Sequence, residues 1–187
     1  MVRRFPRGFA PHRAGAPGYH AEPMKSTVPF SASARGLRIG IAVSRYHDGV
    51  TSRLADGAVS AFVGAGGMEA DLVVVDAPGS FELVAIAHAL AMRADIDAVV
   101  CLGCVLTGET THDQYICQAV ANGLGAITAQ VGKPVAFGVL TCQSIAQAEA
   151  RAGGAKGNKG DEAMRAAILA AQAVGRVQRM PLGRPAT

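Results

Sequence analysis

Apolar residues in this chain gather into short unbroken runs, separated by longer stretches in which they recur every three or four positions. The runs Leu37 to Val43, Leu72 to Val75, Ala98 to Leu106 and Val135 to Leu140 carry no acidic residue and one basic residue, Arg38. Such runs read as strands, and the longest, Ala98 to Leu106, as one buried on both faces. Between the first two, Val50, Leu54, Ala58 and Phe62 share one helical face, with Asp48 as the expected cap and Gly64, Gly66 and Gly67 as the stop. After the turn Ala77-Pro78-Gly79, Ser80 is expected to cap a helix that turns Leu83, Ile86, Ala87 and Leu90 inward. A third helix is expected from about Thr111 to Gln130, with Ile116, Val120, Leu124 and Ile127 inward. The fourth run is followed by a short helix around Ser144 to Ala150 and a glycine-rich loop from Gly153 to Gly160. An alanine-rich helix from Asp161 to about Val177 comes last. No internal repeat is visible.

Strand alternating with helix predicts an α/β fold, a three-layer α/β/α sandwich around a central four-stranded parallel sheet. In such sheets ligands bind beyond the carboxyl ends of the strands. There the sequence places its unusual residues: Arg45, Tyr46 and His47 after the first strand, Gly79 to Glu82 after the second, and Gly108 to His112 after the third. Phe137 lies within the fourth strand, and Arg151 and Lys159 follow later.

The stretch Gly108-Glu109-Thr110-Thr111-His112 carries the strongest chemical signal. Glycine frees the turn, a threonine hydroxyl is suited to cap the next helix, and the first helical N–H groups favour an anion such as phosphate. His112 adds a group that titrates near neutral pH beside that anion site. Each residue also has an ordinary structural use. Tyr46 is either a platform for a planar heterocycle or a packing residue. Glu82 stands in a first helical turn, where the dipole favours a carboxylate whatever its function. Thr110 serves as a plain cap, and Arg151 and Lys159 as solvated charges. His88, in mid-helix without acidic or cysteine neighbours, reads as surface.

Charge changes this picture little. Residues 1–36 hold six basic side chains (Arg3, Arg4, Arg7, Arg13, Lys25 and Arg35) against Glu22, so the net +4 of the 187-residue chain leaves the remainder at −1. Confined to a Pro/Gly-rich segment, that charge reads as a solvated tail over 1–36 rather than a nucleic-acid surface. The segment lacks the apolar core of a secretory signal, its prolines and Glu22 argue against an amphipathic targeting helix, and Met24 offers a second start. No apolar stretch is long enough for a bilayer span, because Asp95, Asp97 and Gly103 interrupt the best candidate. A domain over 37–178 and a short tail over 179–187 complete the expected organisation. Cys101 and Cys104 have the spacing of a zinc knuckle but lie inside a strand, where an odd offset sends them to opposite faces. No second pair completes a tetrahedral set. With Cys117 and Cys142 they read as reduced thiols without a metal, which suits a reducing cytoplasm.

Five blocks occur in order: Ser44-Arg45-Tyr46 with Thr51-Ser52; Pro78-Gly79-Ser80-Phe81-Glu82; Gly103 to His112; Phe137 to Thr141; and Arg151-Ala152-Gly153 with Gly157-Asn158-Lys159-Gly160. In this combination, from about Leu37 to Val177, the chain resembles the lumazine synthase family of riboflavin biosynthesis. The resemblance implies a flavodoxin-like sandwich and a condensation without cofactor or metal. In it, 5-amino-6-(D-ribitylamino)uracil and 3,4-dihydroxy-2-butanone 4-phosphate give 6,7-dimethyl-8-ribityllumazine, phosphate and water. It assigns Tyr46 to stacking on the pyrimidine, Ser80, Phe81 and Glu82 to holding that substrate and its ribityl hydroxyls, and Cys104, Val105 and Leu106 to the ring pocket. Glu109 and Thr110 match the phosphate cradle, Arg151 its cationic partner, and Lys159 the ribityl end. Phe137 matches a wall given to a neighbouring subunit, and His112 the proton-transfer residue.

The same resemblance implies a homo-oligomer, a pentamer or a multiple of pentamers, with small-molecule substrates and neither nucleic acid nor membrane as partner. Two departures stand out: His47 replaces the Asn of many members, and the order Gly153-Gly154-Ala155-Lys156-Gly157 differs from that of shell-forming ones. The alternative is a non-catalytic paralogue that binds flavin or lumazine. It would tolerate loss of His112 or Arg151, and both are present. Archaeal-type riboflavin synthase, on a similar fold, has a different motif at Gly108 to His112.

Overall fold

The computed structural model describes residues 32–180. Residues 1–31, most of the expected basic tail, and 181–187, most of the C-terminal tail, lie outside the described residues. The elements run β1 (Ile39–Ser44), α1 (Asp48–Gly64), β2 (Leu72–Ala77), α2 (Leu83–Met92), β3 (Ala98–Leu106), α3 (His112–Val131), β4 (Val135–Cys142), α4 (Ile145–Ala150), β5 (Ala152–Gly154), β6 (Gly157–Asn158) and α5 (Lys159–Arg179).

The four main strands form one parallel sheet in the order β2-β1-β3-β4. The two central strands are buried on both faces and carry no charge, Arg38 lying just before β1. Ile39, Ile41 and Val43 of β1, with Val100, Leu102 and Cys104 of β3, pack against α1 and α5. Ala42, Val99, Cys101 and Val105 face α2 and α3 on the other side. The three-layer sandwich is therefore as the sequence implies. Cys101 and Cys104 do fall in opposite cores, and burial pushes their thiols up to about 12 and about 11. Neither is a ready nucleophile.

Three local expectations are corrected. No side-chain cap forms at α1, α2 or α3: the cap positions of the first two are His47 and Glu82 rather than Asp48 and Ser80, and Thr111 takes that of α3 without making the bond. The glycine-rich segment is not a plain loop, because β5 and β6 pair antiparallel as a small hairpin. The last helix starts at Lys159, where the Asn158 side chain accepts from the Gly160 and Asp161 N–H groups at 2.8 and 3.3 Å. Packing also begins before Leu37. Ala34 is fully buried and its N–H donates to the Ala65 carbonyl at 2.9 Å. The Gln172 amide donates to the Ser33 carbonyl at 2.8 Å.

Candidate active site

A cavity of about 780 Å³ opens beyond the carboxyl ends of β1 and β3, between the loops that lead into α1, α2 and α3. That volume suits an organic ligand of moderate size. Its position follows from strand order: β1 and β3 are neighbours whose following helices lie on opposite faces, so their loops diverge and leave a crevice.

The β1–α1 loop contributes Tyr46 and His47. Tyr46 is 77% exposed, and its ring meets the His47 ring edge-on at 4.9 Å and 87°. The loop backbone is held because the His47 carbonyl accepts from the Val50 and Thr51 N–H groups and the Thr51 hydroxyl, at 2.9, 3.0 and 3.2 Å. Arg45 clamps it sideways, its guanidinium 2.7 Å from Asp76 at the end of β2 and 2.8 Å from Asp48 in α1. Hydrogen bonds from Arg45, then Ser52, hold the Asp48 carboxyl below its ordinary range.

The β2–α2 loop contributes Ser80, Phe81 and Glu82. Ser80 is buried, and its hydroxyl faces the Cys104 carbonyl at 3.5 Å, a long contact. Glu82 folds its carboxylate back over Gly79, where a β-carbon would stand 2.9 Å from Oε2. A side chain at that position would push the carboxylate aside. The β3–α3 loop contributes Gly108, Thr110 and His112, and the end of β3 supplies Cys104, Val105 and Leu106 as one wall. The first N–H groups of α3 have no acceptor within their own helix, so they offer donors to an anion at the mouth.

The fold thus gathers nine of the residues singled out in the sequence: Tyr46, Ser80, Phe81, Glu82, Cys104, Val105, Leu106, Thr110 and His112. Four others do not line the cavity of a single chain. Glu109 is exposed on the rim of the β3–α3 loop. Phe137 lies opposite Cys101 on β4, an edge strand, five residues before its carboxyl end and so about 16 Å back along the strand. Arg151 ends α4, and its carbonyl accepts from the Lys159 N–H at 2.8 Å across the base of the hairpin. The Lys159 ammonium pairs with Glu162.

Beyond those nine, Asp113, Tyr115, Ile116 and Ala119 also line the cavity. Residues 112, 115, 116 and 119 share one helical face, so a wall continuing from His112 was readable from spacing alone. Tyr115 is 69% exposed and Phe81 57%, which leaves an apolar rim. No group of three or more His, Cys, Asp or Glu side chains placed to hold a metal occurs among the described residues.

The family model for 6,7-dimethyl-8-ribityllumazine synthase matches residues 36–174, nearly the whole described chain. The chain belongs to the 6,7-dimethyl-8-ribityllumazine synthase family. A relative of that name from Thermus thermophilus is 47% identical over 136 residues, covering 73% of this chain and 87% of its own. Relatives of the same name from Syntrophus aciditrophicus and Aquifex aeolicus are 44% and 43% identical over 135 and 136 residues, covering 72% and 73% of this chain and 88% of theirs. The matched span contains every element from β1 to the body of α5, hence the entire cavity. Membership in a synthase family of riboflavin biosynthesis gives no support to the non-catalytic paralogue.

Proposed function

We propose that the chain joins 5-amino-6-(D-ribitylamino)uracil to 3,4-dihydroxy-2-butanone 4-phosphate, forming 6,7-dimethyl-8-ribityllumazine, phosphate and water. The observation that carries this reading is the meeting of Tyr46, Ser80 to Glu82 and Thr110 with His112 in one cavity of a family member. Tyr46 stacks on the pyrimidine, Glu82 takes ribityl hydroxyls, and the ends of β2 and β3 bound the ring. The amino end of α3, with the backbone N–H groups of Glu109 and Thr110, receives the phosphate.

The amine attacks the ketone, water leaves as the Schiff base forms, phosphate departs, and the ring closes with loss of a second water. Each step moves a proton, and His112, which lines the cavity, serves as the relay in this reading. Positive electrostatics at the departing phosphate come from the α3 N-terminus and from Arg151. Holding two substrates face to face supplies a large further share of the rate.

Phe137, Arg151 and Lys159 lie away from the cavity of their own chain, while Tyr46, Phe81 and Tyr115 leave its rim apolar and exposed. A neighbouring copy that brings the first group to the second completes the site. The family resemblance supports a pentamer or a multiple of pentamers as that assembly, with no nucleic acid or membrane partner. None of the described helices is long and apolar enough to cross a membrane. The unpaired, buried thiols Cys101, Cys104 and Cys142 suit the cytoplasm.

Subunit exchange tests the shared site and the reaction together. At butanone phosphate concentrations well below KM, mixed assemblies of His112→Ala and Arg151→Ala chains should regain activity above either parent, because some interfaces then carry two intact partners. Release of phosphate and lumazine in equal amounts should accompany the regain. Assemblies no more active than their parents overturn the shared site, and wild-type protein releasing phosphate without lumazine overturns the reaction.

A further inference from the structure

A second cavity, of about 680 Å³, lies at the opposite end of the sheet, beside the amino ends of β1, β3 and β4. Arg35, Lys133, Arg176 and Arg179 surround it. None of the four is ion-paired with a carboxylate among the described residues. The one acid in its lining, Asp97, already accepts from the Arg38 N–H at 2.8 Å. Helix ends alone do not account for this charge. Both α3 and α5 finish here, and each C-terminus offsets about half a positive charge. Four cations against one carboxylate and two helix ends leave an excess of about two positive charges.

The arrangement has fixed parts. Arg179 lies back over Gly175, where a β-carbon would stand 3.2 Å from its Nη1. Lys133 follows Gly132, which ends α3 in the left-handed conformation at φ 70°, and its Nζ donates to the Arg93 carbonyl at 2.6 Å. Leu37, Ala171 and Val174 supply apolar floor between the charged groups. A cavity of this size holds an organic ligand or an ion cluster rather than one water.

We propose that this pocket binds a small polyanion with clustered phosphate groups, at a site separate from the catalytic cavity. Arg176 and Arg179 stand about one turn apart on α5 and face neighbouring phosphates with planar donor forks, and Lys133 adds a point charge from the end of α3. Nothing in the condensation uses these residues, so the site adds a second anion-binding function to the chain.

Titration of the full-length protein with inorganic pyrophosphate, followed calorimetrically, tests this. The expected result is saturable binding that weakens with added salt. Affinity should fall at least tenfold in the Arg176→Gln/Arg179→Gln protein while lumazine formation is unchanged, and should persist in Arg151→Ala. Lys133→Gln is the second variant, expected to weaken binding several-fold even if the double substitution compromises folding. Absence of binding to the wild type, equal binding in the double variant and in Lys133→Gln, or loss of binding in Arg151→Ala each overturns the proposal.

Discussion

Ser80 sits against the bare backbone of Gly103, where a β-carbon would stand 2.7 Å from the Ser80 hydroxyl and 3.1 Å from Leu83 Cδ1. The β2–α2 loop reaches the sheet only because β3 lacks a side chain at that point. Gly103→Ala should push Ser80 and the start of α2 outward, at an overpacking cost of about 1–3 kcal/mol. Thermal unfolding should show a lowered midpoint. The KM for the pyrimidine substrate should rise more than that for the butanone phosphate. Equal changes in both would remove Ser80 from the pyrimidine side.

His112→Ala should slow turnover by about 100-fold, within the range for losing one proton-transfer group, without abolishing it. Positioning by the remaining cavity residues persists in the variant. Steady-state rates with both substrates saturating give the answer. A variant that binds both substrates yet shows no activity above background would mean that proton transfer carries nearly all of the catalysis.

Arg151→Ala should raise the KM for the butanone phosphate at least tenfold and change that for the pyrimidine little, because its proposed partner is the phosphate alone. Varying each substrate in turn separates the two constants. A selective rise in the pyrimidine KM would place Arg151 at the other end of the site.

Burial of Cys101 pushes its thiol from 9.0 to about 12. Between those values the unfolded chain has lost the proton and the folded chain has kept it. The stabilisation is complete below pH 9 and is lost as pH rises toward 12. Denaturant midpoints followed from pH 8 to 11.5 should fall, and Cys101→Ala should fall less steeply. Parallel curves would show that the thiol does not contribute.

The two central strands were legible because burial on both faces excludes charge, as in Ala98 to Leu106, whereas β2 and β4, partly exposed at the sheet edges, were legible only as short apolar runs. The end of the sheet that holds the cavity was legible because ligands bind beyond the carboxyl ends of parallel strands, whereas the strand order that parts the loops was not. The caps were not. Thr111 occupies a cap position without making the bond, and the Ser80 hydroxyl turns to the Cys104 carbonyl across the sheet, a tertiary contact that local sequence does not contain. The β5–β6 hairpin escaped notice because strands of three and two residues, rich in glycine, show no alternation. His47 was legible at the strand end and as a departure, but its ring-edge contact with Tyr46 is not contained in the local sequence. Phe137, Arg151 and Lys159 fall outside one chain's cavity because β4 is an edge strand and the hairpin lies beyond α4. The roles proposed for them would need a neighbouring copy of the chain.

The most direct test is the initial rate of lumazine fluorescence when purified protein is mixed with both substrates. The expected result is a rate proportional to protein concentration, well above the uncatalysed reaction, saturating in each substrate and reduced in His112→Ala. A rate equal to the protein-free background, from protein shown to be folded, would contradict the assignment of this cavity to lumazine formation.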